Sequence, residues 1–272
     1  MALPPSPPDS RRESRSGPYS APRRRLPVVR LSLALLLILG GVWGGLALHR
    51  AAQPPPWTGP PPFVVPPLTP APQSAIPSAT AVPADQEAWM AHLVSTTDLP
   101  RRALRAYVDA EVKARSSNPG CHITWATIAG LGREESHHGK HENSSIDADG
   151  VARPPIFGVP LDGSPGLKRF PDTDGGKLDG DPVWDRAMGP LQYLPKTWRD
   201  WGVRASGDGA RPDPQNIDDA AMTTVHYLCG VAGDLGTPSG WWNAIMTYNT
   251  STTYTQEVFS DADAYARAAL KP

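Results

Sequence analysis

The chain has 272 residues with a formal net charge of −1 at pH 7, and 33 of its residues are proline, most of them in the first third. The first 50 residues hold eight arginines against two acidic side chains, roughly +6, so the remaining residues are acidic, at about −7. An acidic folded part excludes nucleic acid as a partner, because binding phosphates requires a basic surface. The length allows one ordinary domain with appendages.

The N-terminal residues indicate a membrane anchor. Residues 1–30 are rich in Pro, Ser and Arg and are predicted to be a disordered basic tail. Residues 31–48 are uncharged and apolar, and as a helix they would be about 27 Å long, close to the thickness of a bilayer core. Arg23–Arg25 and Arg30 precede this segment and Arg50 follows it, which predicts a single-pass protein of the cell membrane with a cytoplasmic N-terminus. A cleaved signal peptide is the competing interpretation.

Residues 49–83 are rich in Pro, Ala, Ser and Thr and predict an extended linker. Residues 84–272 then predict one extracytoplasmic, mainly helical domain with an Asp/Gly-rich insert over residues 140–188. β-structure is expected only between residues 150 and 185.

Local signals predict where several helices begin and end. Asp98 and Pro100 mark one start, Thr124 and Asn216 are N-cap residues for two others, and Pro195 opens a short helix. Further helices are expected over 240–248 and 254–269, and Gly202 ends the short one. The expected buried faces are Leu104, Tyr107, Val108 and Val112 for the first helix, and Ile217, Ala221, Val225 and Leu228 for the helix that follows Asn216.

The chain has two cysteines, Cys121 and Cys229. They are either two buried thiols or one disulfide, and the disulfide fits a domain outside the cytoplasm. Such a bridge would join the predicted helices that begin near Thr124 and Asn216.

The most informative polar residues end the Thr124 helix. Glu135 lies four residues after Leu131 and seven after Ile128, so it shares their inward face, whereas Glu134 is turned toward solvent. Partial desolvation would raise the pKa of Glu135 and keep it protonated near neutral pH, as a general acid requires. By itself this pattern is also that of an ordinary solvated helix end.

Other side chains have weaker functional signals. The histidines at 137, 138 and 141 are expected in an exposed loop rather than around a metal, and two cysteines cannot form a zinc site. Most tryptophans are expected in the core, with one or two in a sugar-binding cleft. The candidates for that cleft are Trp184, Trp198, Trp201, Trp241 and Trp242.

Four segments, spread over residues 95–265, resemble lytic murein transglycosylases of the lysozyme-like superfamily. Residues 123–136 (ITWATIAGLGREES) resemble the helix that bears the catalytic glutamate, residues 189–198 (GPLQYLPKTW) the G-P-M-Q-x-x-P-S-T-W segment, and residues 213–220 (DPQNIDDA) the D-P-x-N-I-x-D-A helix start. Residues 248–249 resemble the family's Tyr-Asn pair. The sequence is most similar to an actinobacterial, membrane-anchored group related to the membrane-bound B-type enzymes.

This resemblance implies an α+β lysozyme-like fold and cleavage of the MurNAc–GlcNAc β-1,4 bond of peptidoglycan, with Glu135 as general acid and base and a 1,6-anhydro product. It implies no required cofactor, glycan strands as partner, and no particular protein partner. A muramidase on the same fold, using Asp147, Asp149 or Asp185 as second carboxylate, and a non-catalytic glycan-binding scaffold are the alternatives. The residues expected to bind the glycan are Ser136, Gln192, Tyr193, Tyr248 and Asn249.

The insert contains a run of acidic residues that resembles part of a calcium loop, although the order of an EF-hand is not met. A structural calcium ion is therefore one hypothesis, and a cluster of Asp/Gly turns is the other. The expected ligands are Asp172, Asp174, Asp179 and Asp181.

Overall fold

A computed structural model describes residues 63–70 and 85–270. Within these residues the chain is mainly helical, with one 3-10 turn and one two-stranded sheet. The helices are α1 Gln86–Thr96, α2 Arg101–Ser117, α3 Trp125–Ser136, α4 Pro195–Trp201, α5 Ile217–Ala232, α6 Pro238–Tyr248 and α7 Thr252–Ala269, and the 3-10 turn is Pro119–Cys121. Antiparallel strands β1 (Ser145–Ile146) and β2 (Ala152–Arg153) form the sheet.

Helix α3 lies at the centre of the domain and packs most extensively against α7. The two backbones are close because α3 has a glycine at Gly130, where an added Cβ would lie 2.7 Å from the carbonyl oxygen of Val258. Helix α2 packs on α3 and α5, and α6 packs on α5 and α7. Most of α3 is buried before its last turn emerges at Glu135.

The predicted helix signals are confirmed where they depend on local chemistry. The side chain of Thr124 accepts the amide of Thr127 at the start of α3, and Asn216 accepts two amides at the start of α5. Helix α4 begins at Pro195 and ends before Gly202. The predicted buried face of α5 is confirmed for Ile217, Ala221, Val225 and Leu228.

Three features differ from the prediction. Helix α1, capped by Asp85, was not predicted. Helix α2 begins after Pro100, as predicted, but without a side-chain cap, because the proline at the N-cap position has no side-chain acceptor, and the carboxylate of Asp98 accepts the hydroxyl of Tyr265. Val112 is 48% exposed, since a residue eight positions after Leu104 is rotated by about 80° around a helix of 3.6 residues per turn.

The predicted disulfide is confirmed. Cys121 and Cys229 are bonded with a Cα–Cα distance of 5.4 Å and are 108 positions apart in sequence. The bond joins the 3-10 turn before α3 to the last turn of α5.

The insert has little regular structure. The predicted β-structure amounts to β2, with its partner β1 just before residue 150, and to isolated bridges such as Pro171 with Trp184 and Phe157 with Met188. Met188 also pairs with Tyr193, so the end of the insert leads directly into the segment before α4.

The predicted tail (1–30) and membrane span (31–48) lie outside the described residues, as does most of the linker. Among the helices that the structure describes, none combines the length and apolar character needed to cross a bilayer.

Candidate active site

Glu135 occupies the last turn of α3, where the buried helix reaches the surface. Its side chain is partly exposed, while Ile128 and Leu131 on the same face are fully buried, as the sequence predicts. Glu134 also remains partly exposed, but it faces acidic side chains of α7, Glu257 and Asp261, and the pKa of Asp261 is raised by burial and by this neighbour.

The carboxylate of Glu135 accepts a hydrogen bond from the hydroxyl of Tyr254 in the first turn of α7. Tyr254 is not among the site residues predicted from sequence, and no local motif marks it. It reaches Glu135 because α3 and α7 pack closely at Gly130, a contact between residues more than a hundred positions apart.

Burial raises the pKa of Glu135 from 4.5 to about 7. The hydrogen bond from Tyr254 opposes this shift by stabilising the carboxylate, and the negative charge of Glu134 adds to it. Tyr193 and Tyr248 lie near the same carboxylate, and burial raises the pKa of both phenols far above the neutral range. A large fraction of Glu135 is therefore protonated at neutral pH, within a group of neutral hydroxyls.

Ser136 attaches the end of α3 to the segment that follows the insert. Its hydroxyl donates to the carbonyl of Pro190 at 2.6 Å and accepts the amide of Gly139 at 2.7 Å. Tyr248 donates its hydroxyl to the adjacent carbonyl of Leu191. Ser136 is only 3% exposed and its hydrogen bonds fix the end of α3, while its predicted contact with the glycan stays a prediction.

Gln192 and Tyr193 follow in the same segment. The backbone of Gln192 is left-handed, with φ of 47°, and its side-chain amide donates to the carbonyl of Gly189 at 2.8 Å. Gln192 remains partly exposed, as glycan binding requires. Tyr193 is 4% exposed, and its hydroxyl is hydrogen-bonded to that of Thr224 at 2.9 Å. Its ring is therefore packed in the interior next to the site.

Asn249 connects α6 to α7. Its backbone amide donates to the carbonyl of Ile245 at the end of α6, and its backbone carbonyl accepts the amide of Ser251, the N-cap residue of α7. Tyr254 lies three residues after that cap and donates its own amide to the Ser251 hydroxyl. Of the Tyr-Asn pair predicted from sequence, Tyr248 lies near Glu135, and the backbone of Asn249 holds the N-cap of the helix that carries Tyr254.

Two of the three candidate second carboxylates are held in hydrogen bonds within the insert. Asp147 accepts the amide of Val151 at 2.9 Å and pairs with Arg153 at 2.6 Å. Asp185 is 1% exposed and accepts both the amide and the hydroxyl of Thr173. The third candidate, Asp149, is exposed.

The structure does not support the predicted calcium site. In the described residues no three acidic, histidine or cysteine side chains converge to hold a metal ion. Instead, the four carboxylates accept amides of their own turns, as when Asp172 accepts those of Asp174 and Gly176. Asp174, Asp179 and Asp181 do likewise. This arrangement matches the alternative of Asp/Gly turns.

Two other sets of side chains differ in part from expectation. His138, expected in an exposed loop, is 1% exposed. Trp198 and Trp241 are buried in the core, whereas Trp184 is partly exposed with the guanidinium of Arg169 5.0 Å from its ring centre.

No family model and no curated protein sequence matches this chain. Solved structures similar to it include the Escherichia coli lytic transglycosylase SLT35 in complex with bulgecin A, at 15% identity over 68% of this chain and 79% of that one, with a TM-score of 0.41. The same enzyme in complex with calcium matches at 15% identity over 68% and 80%, with a TM-score of 0.40. SltB3 from Pseudomonas aeruginosa in complex with NAG-anhNAM-pentapeptide matches at 15% identity over 66% of each chain, with a TM-score of 0.35.

Proposed function

We propose that this protein is a lytic transglycosylase that cleaves the MurNAc–GlcNAc β-1,4 bond of peptidoglycan. The observation that supports this best is the state of Glu135. Its carboxyl group, in the last turn of the buried helix α3, has a pKa of about 7 and accepts a hydrogen bond from Tyr254. The sequence resemblance assigns the catalytic role to this same residue. The raised pKa, the hydrogen bond from Tyr254 and the partial exposure of the side chain together favour a catalytic role over a non-catalytic scaffold.

In the proposed reaction Glu135 acts twice. As acid it donates its proton to the glycosidic oxygen as the bond from C1 of N-acetylmuramic acid breaks, and the acetamido group of the sugar stabilises the positive charge at C1. As base the resulting carboxylate removes the proton from the 6-hydroxyl, whose oxygen then bonds to C1. The proton returns to Glu135, no water is consumed, and the product has a 1,6-anhydro ring.

A pKa near 7 suits both steps, because a group that must donate and then accept a proton works best when its pKa is close to the working pH. Tyr254 contributes in the first step by stabilising the carboxylate that forms as Glu135 loses its proton. A single acid/base is sufficient for this chemistry, whereas ordinary glycosidases use two carboxylates. Asp147 and Asp185 are held in structural hydrogen bonds, which disfavours them as the second carboxylate of a muramidase and leaves Asp149 as the candidate for that alternative.

We further propose that residues 31–48 anchor the protein in the cell membrane, with the N-terminus in the cytoplasm and the catalytic domain outside. The bond between Cys121 and Cys229 supports this location, because disulfides persist in oxidising compartments.

The test uses the full-length protein in detergent with purified peptidoglycan, and measures soluble glycan fragments by chromatography. Wild type is expected to release fragments and Glu135→Gln to release none. Glu142→Gln is the matched control, because this exposed side chain lies in the loop after α3. Equal release by Glu135→Gln and wild type would refute the proposal, and the absence of release by wild type would favour the scaffold.

A further inference from the structure

Residues 63–70, which we term the strap, lie against α7 although they belong to the Pro-rich segment predicted as linker. The amide of Leu68 donates to the hydroxyl of Ser260 at 2.9 Å, and the side chain of Gln256 donates to the carbonyl of Pro70 at 3.4 Å. Phe63 stacks on Tyr265, with ring centres 5.6 Å apart and planes inclined by 16°. Three contacts along α7 therefore hold the strap antiparallel to the helix.

A cavity lies between the strap and α1. Val64 and Pro66 line a cavity of about 320 Å³ together with His92 and Thr96 of α1 and Ala264 of α7. A proline-rich segment loses little conformational entropy when it docks in extended form, because its backbone is already restricted. The groove between α1 and α7 therefore suits this part of the chain.

Phe63 reaches the helix that bears Glu135. The guanidinium of Arg133, two residues before Glu135, lies 6.0 Å from the centre of the Phe63 ring. The same guanidinium pairs with Asp98 at 2.7 Å and with Asp261 at 3.3 Å. The Phe63 ring covers these ion pairs, and the exclusion of water strengthens charge interactions of this kind.

Tyr265, on which Phe63 stacks, fixes the chain on the other side of Glu135. Its hydroxyl contacts Nε2 of His138 at 2.9 Å and donates to Asp98 at 2.6 Å. Nδ1 of His138 in turn contacts the hydroxyl of Tyr107 at 3.2 Å. His138 follows the end of α3, so residues before and after Glu135 are both held through Tyr265.

From these contacts we propose that Phe63 is a positioning residue for Glu135 and that the strap belongs to the catalytic domain and is required for its full activity. Phe63 acts through Arg133 and Tyr265, which fix the last turn of α3, and it touches no substrate. The catalytic part of this inference rests on the proposed function. It follows that a protein cut at residue 84, where the sequence composition changes, would have a loosened active site.

The experiment compares full-length wild type, Phe63→Ala, Phe63→Tyr and the control Val64→Ala, whose side chain is 75% exposed in the wild type. Amide hydrogen exchange is measured at Leu68, which reports on the strap, and at His137 and His138, whose amides close the end of α3. Glycan-release kinetics give kcat and KM.

Phe63→Ala is expected to increase exchange at all three amides by about tenfold, as the loss of an aromatic stack would. Its kcat is expected to fall about tenfold, with KM changed less than twofold, since Glu135 is displaced while the glycan site remains. Phe63→Tyr keeps the aromatic stack, so its exchange rates and its kcat are expected to match those of wild type. Val64→Ala is also expected to behave as wild type.

Faster exchange at Leu68 alone, with kcat unchanged, would overturn the positioning role. Unchanged exchange at Leu68 would show that the strap is not held by Phe63. If the wild type releases no glycan, the proposed function fails, while exchange at His137 and His138 still decides whether the strap fixes the end of α3.

Discussion

Replacement of Tyr254 by phenylalanine removes the hydroxyl that donates to Glu135 and leaves the ring in place. The donor stabilises the charged form of Glu135, so its loss favours the protonated form and raises the pKa above its wild-type value of about 7.

The size of the effect follows from the strength of the bond. A hydrogen bond to a charged group contributes about 1.5–3 kcal/mol, and 1.36 kcal/mol corresponds to one pKa unit. We take the lower end of this range because Glu135 keeps some contact with solvent, which gives a rise of about one unit. The same loss destabilises the carboxylate that forms when Glu135 donates its proton in the first step, so kcat is expected to fall by up to about tenfold.

The assay is the pH dependence of kcat/KM for release of glycan fragments, whose basic limb reports the pKa of the acid in the free enzyme. We expect this limb near pH 7 in wild type and about one unit higher in Tyr254→Phe. Tyr227→Phe is the control, because its hydroxyl bonds to the carbonyl of Thr247 instead of to Glu135. A limb that stays in place or moves to lower pH in Tyr254→Phe would refute the reasoning.

Three further predictions follow from the same structure. Burial raises the pKa of Glu135 from 4.5 to about 7, so between these pH values the native state binds more protons than the unfolded state. The free energy of unfolding of wild type therefore falls by up to about 3 kcal/mol as the pH rises through this range. Glu135→Gln lacks this loss, so melting curves should show that its stability relative to wild type increases from pH 5 to pH 8. The same difference in stability at both pH values would contradict the assigned pKa. Gly130→Ala places a Cβ 2.7 Å from a backbone oxygen of α7, so urea denaturation should show a free energy of unfolding lower by about 1–3 kcal/mol, and glycan-release assays should show a lower kcat. Values equal to those of wild type would refute the close approach of the two helices. Replacement of Cys121 and Cys229 by serine should cost about 2–4 kcal/mol in the same denaturation assay, and no change would argue against a stabilising bond.

The sequence predicts the parts of this fold that depend on neighbours in the chain. Thr124 and Asn216 cap helices because their side chains reach amides two or three residues away, and the inward face of Glu135 follows from its spacing to Leu131. The pairing of Cys121 with Cys229 was predictable because the chain has only these two cysteines.

Contacts between distant segments could not be predicted in this way. Tyr254 reaches Glu135 only because α3 and α7 pack closely, and His138 is buried only because Tyr107 and Tyr265 surround it. Phe63 lies in a stretch whose composition is that of a spacer, yet it stacks on a residue about two hundred positions later. Such contacts depend on the packing of whole helices, about which local patterns are silent.

The most direct test of the central claim is the mass of the fragments that full-length protein releases from peptidoglycan in ¹⁸O-labelled water. If Glu135 removes the proton of the 6-hydroxyl, as proposed, every new muramic end is a 1,6-anhydro ring, one water lighter than a reducing end and free of ¹⁸O. New reducing ends that contain ¹⁸O would show that water attacks C1, and would contradict the account by making the protein a hydrolase.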